Sequence, residues 1–527
     1  MPRGMSRRTV LAGTATAAAA AAVSGGLAGA AQAAPAPGPA AAAAAEVPKL
    51  PNGTSRNKVL VVGMDGLRHD RIQAAKAPTF KSLMARGTFA TSLLYAPPAA
   101  QTSSGPGWST VSTGVWPDKH GVVDNSFKGK DYAAYPGFLA RLRQVRPDLS
   151  TFAAVDWKPL DAEGTVTAGA SAKIALDGDA DGYVQHDATI AAAAETILRD
   201  QNPDVCFIYF GQSDIVGHDS GAMSPKYLEQ IDVMDGYVGR MLAAIKGRKS
   251  YHRERWTILL TTDHGHADAG GHGGPSIEER RVFTIAQGPG IPAGAKPVNG
   301  RHVDTVATVL HALGITPDPA WGLDGRPLQR PSADGFDASY GLLKPAVDET
   351  GTPAGVLGFT HGPAGGWSID NSRMPEGGVA EWRGWTLTTD EFWTRADKGQ
   401  GREQFTRGRG VIAVADPDEW DDKGSPTSTG EFDSTLVSPA YRVSRKSSVT
   451  LTYFTHYLQD GPQRGDVLVS FDGAADQLVK NYAADAENAA EKFTLPVPQG
   501  ARTVRVKFRL RDARNNWYWA VDDVQLG

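Results

Sequence analysis

What most constrains this chain is a series of short apolar runs that break off into acids and histidines. Residues 58–63, Lys-Val-Leu-Val-Val-Gly, lead directly into Met64-Asp65-Gly66. A continuous apolar run of this length, closed by glycine, reads as a strand buried on both faces of a parallel sheet. Similar runs recur at 150–155, 205–210, 256–261 and 282–286. Helical patterns lie between them at 80–86, 189–199, 225–246 and 303–313. Alternation of this kind predicts an α/β three-layer sandwich with a mostly parallel central sheet.

The texture changes near Asp334. Helical periodicity fades, and seven of the twelve tryptophans fall after Gly366, so a different architecture is expected there. Val504, Val506, Phe508 and Leu510 alternate strictly with polar residues, as do Val467, Val469 and Phe471, and Val449, Leu451 and Tyr453. Such strands, separated by Gly, Asp and Asn turns, predict an antiparallel, jelly-roll-like β-sandwich. The expected organisation is a signal at 1–33, a disordered Ala/Pro-rich linker at 34–56 and an α/β domain at 57–332. A linker at 333–349 and an accessory sandwich at 350–527 complete it.

Arg7-Arg8, a weakly apolar Ala-rich stretch and Ala31-Gln32-Ala33 have the pattern of a twin-arginine export signal with its cleavage site. A secreted protein is therefore expected. No later segment has the unbroken apolar length of a membrane span. The net charge of −4 gives no basic footprint for nucleic acid. A single cysteine, Cys206, excludes an intrachain disulfide, and its setting in Val-Cys-Phe-Ile-Tyr-Phe fits a buried, inert thiol.

In open α/β sheets, functional groups gather at the carboxyl ends of the strands. Here those ends carry Asp65, then Asp214 with His218 four residues on, then Asp263-His264, with His272 in a Gly-Gly-His-Gly-Gly loop. Three carboxylates and three imidazoles are the oxygen and nitrogen donors that Zn²⁺ and similar divalent cations take. Six donors fit two sites of three, each open to substrate or water. Two adjacent metals suit in-line displacement at phosphorus. The run Thr102-Ser-Ser-Gly-Pro-Gly-Trp108 between the first strands supplies a hydroxyl nucleophile for that chemistry. Its glycines and proline predict a sharp turn at the start of a helix through 108–112, whose N–H groups would face an anion.

These landmarks resemble the alkaline phosphatase superfamily, and within it the type I phosphodiesterase/nucleotide pyrophosphatase branch. They are Gly63-Met-Asp-Gly-Leu-Arg68, the hydroxyl and Pro106 run reaching Thr113-Gly114 and His120-Gly121, Asp214-Ile-Val-Gly-His218 and Thr261-Thr-Asp-His-Gly-His266. The match extends over 58–328. The resemblance implies a metal-dependent hydrolase of phosphate esters or nucleotides acting through a covalent phosphoserine. It makes Asp65, Asp263 and His264 ligands of one Zn²⁺, and Asp214, His218 and His272 ligands of a second, with other divalent metals as substitutes. Counted back from Thr113-Gly114, it places the nucleophile at Ser104. Asn125 matches an asparagine that donates to a phosphoryl oxygen, and His120 a residue that orders the turn. His266 falls at no ligand position. His272 follows His264 more closely than in typical nucleotide pyrophosphatases, so His302 and His361 are its competitors. Lys158 matches a lysine that some monoesterases set against phosphate, although its usual arginine partner is replaced by Leu160.

The alternatives are a phosphomonoesterase, an alkaline phosphatase proper, and a non-catalytic cell-surface binding protein on a vestigial hydrolase fold. A sulfatase is disfavoured because Trp108 stands where its modification motif needs arginine, and a cytosolic phosphoglycerate mutase does not suit an exported chain. For the sandwich, the ending Asn516 to Leu526 resembles the last strand of jelly-roll modules that contact carbohydrate or surfaces. The pair Asp522-Asp523 is a candidate for structural Ca²⁺. The plainer expectation is that the tryptophans form core and the acids solvated turns.

Overall fold

The computed structural model describes residues 46–331, 333–422 and 429–527. The export signal expected at 1–33, and the linker as far as residue 45, lie outside them. Seven strands form the first sheet: β1 (Asn57–Met64), β2 (Thr88–Leu93), β3 (Thr151–Val155), β4 (Ala172–Ala175), β5 (Val205–Phe210), β6 (Arg255–Thr261) and β7 (Arg281–Gln287). Their order is β2-β7-β6-β1-β5-β3-β4. β1 runs parallel to β5 and β6, and β3 runs parallel to β5 and β4. Only β7 opposes its neighbours, β6 and β2.

The side chains of β1 explain the layers. Leu60, Val62 and Met64 enter one core with helices Pro78–Arg86, Tyr183–Asp200 and Pro225–Lys246. Val59 and Val61 enter the other, with helices Ser104–Thr113, Phe138–Val145 and Asp304–Ala312. Both faces of the strand are dry, so its sequence is continuously apolar rather than alternating. β2 and β4 were not expected from the sequence. Each is an edge strand with several exposed or half-exposed positions and no strong apolar run.

Beyond Lys344 two antiparallel sheets form a sandwich. One includes strands Phe432–Val437, Arg464–Phe471 and Thr503–Ala513, and the other Val411–Ala415, Ser448–Tyr457 and Trp519–Leu526. Trp382, Trp385, Trp393, Trp420 and Trp519 are fully buried in its core, which accounts for the tryptophan-rich composition.

A polar seam joins the sandwich to the α/β half. Arg409 is buried and makes a two-pronged pair with Asp304, donating to Oδ2 at 3.1 Å and Oδ1 at 3.0 Å. It also donates to the carbonyls of Asn299 and Asp324. Arg281 pairs with Glu391, Arg407 with Asp118, and Arg326 with Asp523. Gln404 donates to the carbonyl of Ala96 at 2.9 Å, holding the segment that leads to Ser104. The acids expected as solvated turns are thus partly seam. Asp523 meets Arg326, and Asp522, fully buried, accepts the backbone N–H of Arg409 at 2.7 Å. The two carboxylates of the proposed calcium pair have separate partners.

Candidate active site

Three adjacent central strands deliver the polar groups to one place. Asp65 follows β1, Asp263-His264 follow β6, and Asp214 and His218 lie on helix Gln212–Ser220 just past β5. The i, i+4 spacing puts Asp214 and His218 on one helix face. The fourth component is helix Ser104–Thr113, which begins at Ser104 itself. The Gly-Pro-Gly, expected as a turn leading into a helix at 108–112, lies inside that helix as its first turn. There the N–H groups have no intrahelical acceptor, so proline loses nothing. Gly107 permits close approach, since a Cβ there would lie 2.5 Å from the carbonyl oxygen of Asp263.

The order of the hydroxyls is now resolved in space. Thr102 Oγ1 donates to the Gly274 carbonyl at 2.9 Å and accepts from Gly273 N–H at 3.0 Å. Ser103 Oγ is buried without a partner. Ser104 Oγ stands 3.4 Å from Asp65 Oδ1 and 3.4 Å from His264 Nε2. Of the three, Ser104 alone faces the cluster of acids and imidazoles.

Asp65 is fixed from behind. Its Oδ2 accepts from Trp108 Nε1 at 2.9 Å and from Tyr209 OH at 2.6 Å, leaving Oδ1 toward Ser104 and His264. Asp263 Oδ1 accepts from Gly66 N–H at 3.1 Å, and its Oδ2 is buried with no hydrogen-bond partner. Asp65, Asp263 and His264 thereby converge, their ligand atoms within 4.8 Å of one another. A second group, equally tight, is Asp214, His264 and His272. His272 is aimed by its Nδ1, which donates to the carbonyl of Thr102 at 2.9 Å. His218 stands at the edge of this group, its Nε2 3.4 Å from Asp214 Oδ2 and its side chain 44% exposed.

The first expected triad therefore appears as a compact group. In the second, the structure clusters His264 with Asp214 and His272, while His218 approaches through the other oxygen of Asp214. His302 is buried and belongs to neither group, and His361 lies in the sandwich against Glu381 and Thr386.

The donors fit a cation. Burial penalises the imidazolium of His264, yet Asp263 and Asp65 outweigh it and push the group up to about 10. Burial, with Asp65 beside it, raises the Asp263 carboxyl well above its usual range. His272 moves the other way, down to about 2, through burial and the neighbouring His264. A dry site with crowded carboxylates, an orphaned carboxylate oxygen and unprotonated imidazole attracts positive charge and offers nitrogen and oxygen donors to hold it.

A cleft of about 110 Å³ opens onto Asp65, Ser104, Asp214, His218 and His272. Asn125 lines it too, and Asn125 Oδ1 accepts from Gly105 N–H at 2.7 Å, so the group left for a ligand is its NH₂. Trp157 and Tyr183 give the cleft an aromatic side. Neither was singled out by the sequence, and Trp157 could have been, as the neighbour of Lys158 at a strand end. Lys158 itself is largely exposed and pairs with Asp177 at 3.0 Å, and it is not among the lining residues.

The sequence profile of the type I phosphodiesterase/nucleotide pyrophosphatase family matches residues 59–279, the segment that carries every group described above except Glu381, Thr386, His302 and His361. Residues 59–279 are similar in sequence to that family. The human ectonucleotide pyrophosphatase/phosphodiesterase family member 7 is 24% identical over 240 residues, covering 42% of this chain and 51% of that protein. The bovine family member 3 is 25% identical over 246 residues, covering 42% of this chain and 26% of that protein. The chain thus spans about half or less of the curated relatives it matches. Among solved structures, murine ectonucleotide pyrophosphatase/phosphodiesterase 5 aligns with a TM-score of 0.39 at 17% identity, over 49% of this chain and 95% of that one. The phosphonate monoester hydrolase of Agrobacterium radiobacter aligns with a TM-score of 0.40 at 16% identity, over 68% and 85%. The matched segment ends before β7, so β7 and the whole sandwich lie outside the match.

Proposed function

We propose that this chain is a hydrolase of phosphoric esters, acting on phosphodiesters or nucleotide pyrophosphates with two Zn²⁺ ions and a covalent intermediate on Ser104. The observation that carries this reading is the convergence of Ser104 Oγ with Asp65 and His264, 3.4 Å from each, inside the family segment. Asp65, Asp263 and His264 would hold one ion, and Asp214 and His272, with His218 beside them, the other. Bound there, such ions supply Lewis acidity toward the attacking and leaving oxygens.

The chain's own groups do the rest. Ser104 Oγ gives up its proton to water and forms the new bond to phosphorus while the bond to the leaving oxygen breaks. That oxygen takes up a proton as it departs. Water then attacks the phosphoserine and restores the Ser104 hydroxyl. The N-terminus of helix Ser104–Thr113 favours the anionic group through its free N–H donors and dipole. The Asn125 amide donates to a phosphoryl oxygen as charge builds there. Asn125→Ala should lower kcat by about 10²–10³-fold, in line with the loss of one fixed donor to a developing oxyanion. Steady-state kinetics on zinc-loaded protein measures it.

A diester is favoured over a phosphate monoester because no lysine or arginine among the described residues lines the cleft to meet a second negative charge, while Trp157 and Tyr183 provide a flat, apolar side for an organic group. Lys158, turned to Asp177, supports the same preference. Comparing hydrolysis of bis-p-nitrophenyl phosphate with that of p-nitrophenyl phosphate tests it. Faster turnover of the monoester would replace this reading with the phosphomonoesterase one, and inactivity on both with zinc bound would favour a binding protein. Export by the twin-arginine route belongs to the same proposal; replacing Arg7-Arg8 by lysines should keep the protein inside the cell.

A further inference from the structure

The segment after β6 contains a histidine that the two cation groups do not use. His266 is completely buried, belongs to neither group and does not line the cleft. Its ring nevertheless connects two parts of the second group. Nε2 donates to Asp214 Oδ1 at 2.8 Å, and Nδ1 faces the carbonyl of Gly271 at 3.2 Å, one residue before His272. Asp214 Oδ1 is the same atom that lies 3.5 Å from His272 Nε2 and 4.0 Å from His264 Nε2.

The surroundings are shaped to this ring. A Cβ on Gly217 would come within 2.6 Å of His266 Nε2, and one on Gly66 within 2.7 Å. Both glycines are far from residue 266 in sequence, one on helix Gln212–Ser220 and the other in the turn after β1. The backbone is held as well: Arg68 Nη1 donates to the His266 carbonyl at 3.0 Å, and Ala267 N–H donates to the Gly271 carbonyl at 2.9 Å. His266 is therefore a fixed bracket between the helix that presents Asp214 and the loop that presents His272.

We propose that His266 is a positioning residue of the second cation site. It sets the rotamer of Asp214 and the height of the His272 loop together, without itself binding the ion. Partners that orient metal ligands in this way typically govern affinity by 10–100-fold. The inference rests on the two-ion reading above, and its test separates the two.

Chelator-stripped full-length protein is titrated with zinc, with competition against a chromogenic chelator as readout, and thermal unfolding checks each variant. Wild type should bind two ions. His266→Ala should keep the ion held by Asp65, Asp263 and His264 and weaken the other by 10–100-fold, with excess zinc restoring kcat. His266→Gln, whose amide can still donate to Asp214, should come within a few fold of wild type in zinc affinity. Unchanged affinity for both ions in His266→Ala would overturn the proposal. So would a His266→Gln protein as weak as His266→Ala, because that outcome marks His266 as a ligand. A wild type that binds fewer than two ions would instead count against the two-ion reading itself.

Discussion

Ser104→Ala should leave the protein folded and able to bind zinc while removing turnover, by roughly 10³–10⁶-fold if it behaves like other nucleophile deletions. The size follows from position. Ser104 Oγ is the one hydroxyl of its run that faces the carboxylate and imidazole cluster, whereas Thr102 is committed to Gly273 and Gly274 and Ser103 is enclosed. No neighbour stands ready to replace it. Alanine fits the first turn of the helix, and Ser104 contributes no cap bond that its loss would break. Ser103→Ala should by contrast retain most activity, which makes the pair of variants, assayed side by side on a diester, a test of which hydroxyl reacts.

Arg409→Met should cost about 3–5 kcal/mol of stability, the range seen when one member of a buried ion pair is removed. Methionine fills similar volume but leaves Asp304 buried, with only the backbone N–H groups of Arg301 and Arg326 for company. The carbonyls of Asn299 and Asp324 lose their donor at the same time. Arg409→Lys should recover only part, because an ammonium cannot repeat the two-pronged contact. Urea unfolding of the full chain gives the difference. A loss below about 1 kcal/mol, the usual value of an exposed pair, would mean that the seam is not an integral part of the fold. The same contact bears on activity. Gln404 and Arg407 on the sandwich side hold Ala96 and Asp118, which flank the nucleophile helix, so the seam steadies the segment that presents Ser104.

Much of the α/β half was legible because its strands are buried on both faces and end in chemistry. β1, β3, β5, β6 and β7 announce themselves as apolar runs, and Asp65, Asp214 and Asp263-His264 sit where those runs stop. The helix starting at Ser104 was legible only in part, since Gly-Pro-Gly reads as a turn ahead of a helix at 108–112, and the folded chain makes it the helix's own first turn. β2 and β4 escaped notice because half-exposed edge strands carry no apolar signature. The bracket made by His266 was invisible for another reason. Its meaning lies in Gly66 and Gly217, which only the folded chain brings against the ring. The seam misled sequence reasoning in the same way. Asp522, expected in a solvated turn, is buried against the backbone N–H of Arg409, and Arg409 is itself buried because its partner Asp304 lies in the other half of the molecule.

The central claim is a phosphoryl group carried transiently by Ser104. Zinc-loaded enzyme mixed with a diester bearing a good leaving group, quenched in acid during turnover and digested, should yield a phosphorylated peptide spanning Thr102 to Trp108. Fragmentation should place the group on Ser104, and the Ser104→Ala protein should give none. Turnover that proceeds with no phosphopeptide, or with the group on Thr102 or Ser103, would contradict the account.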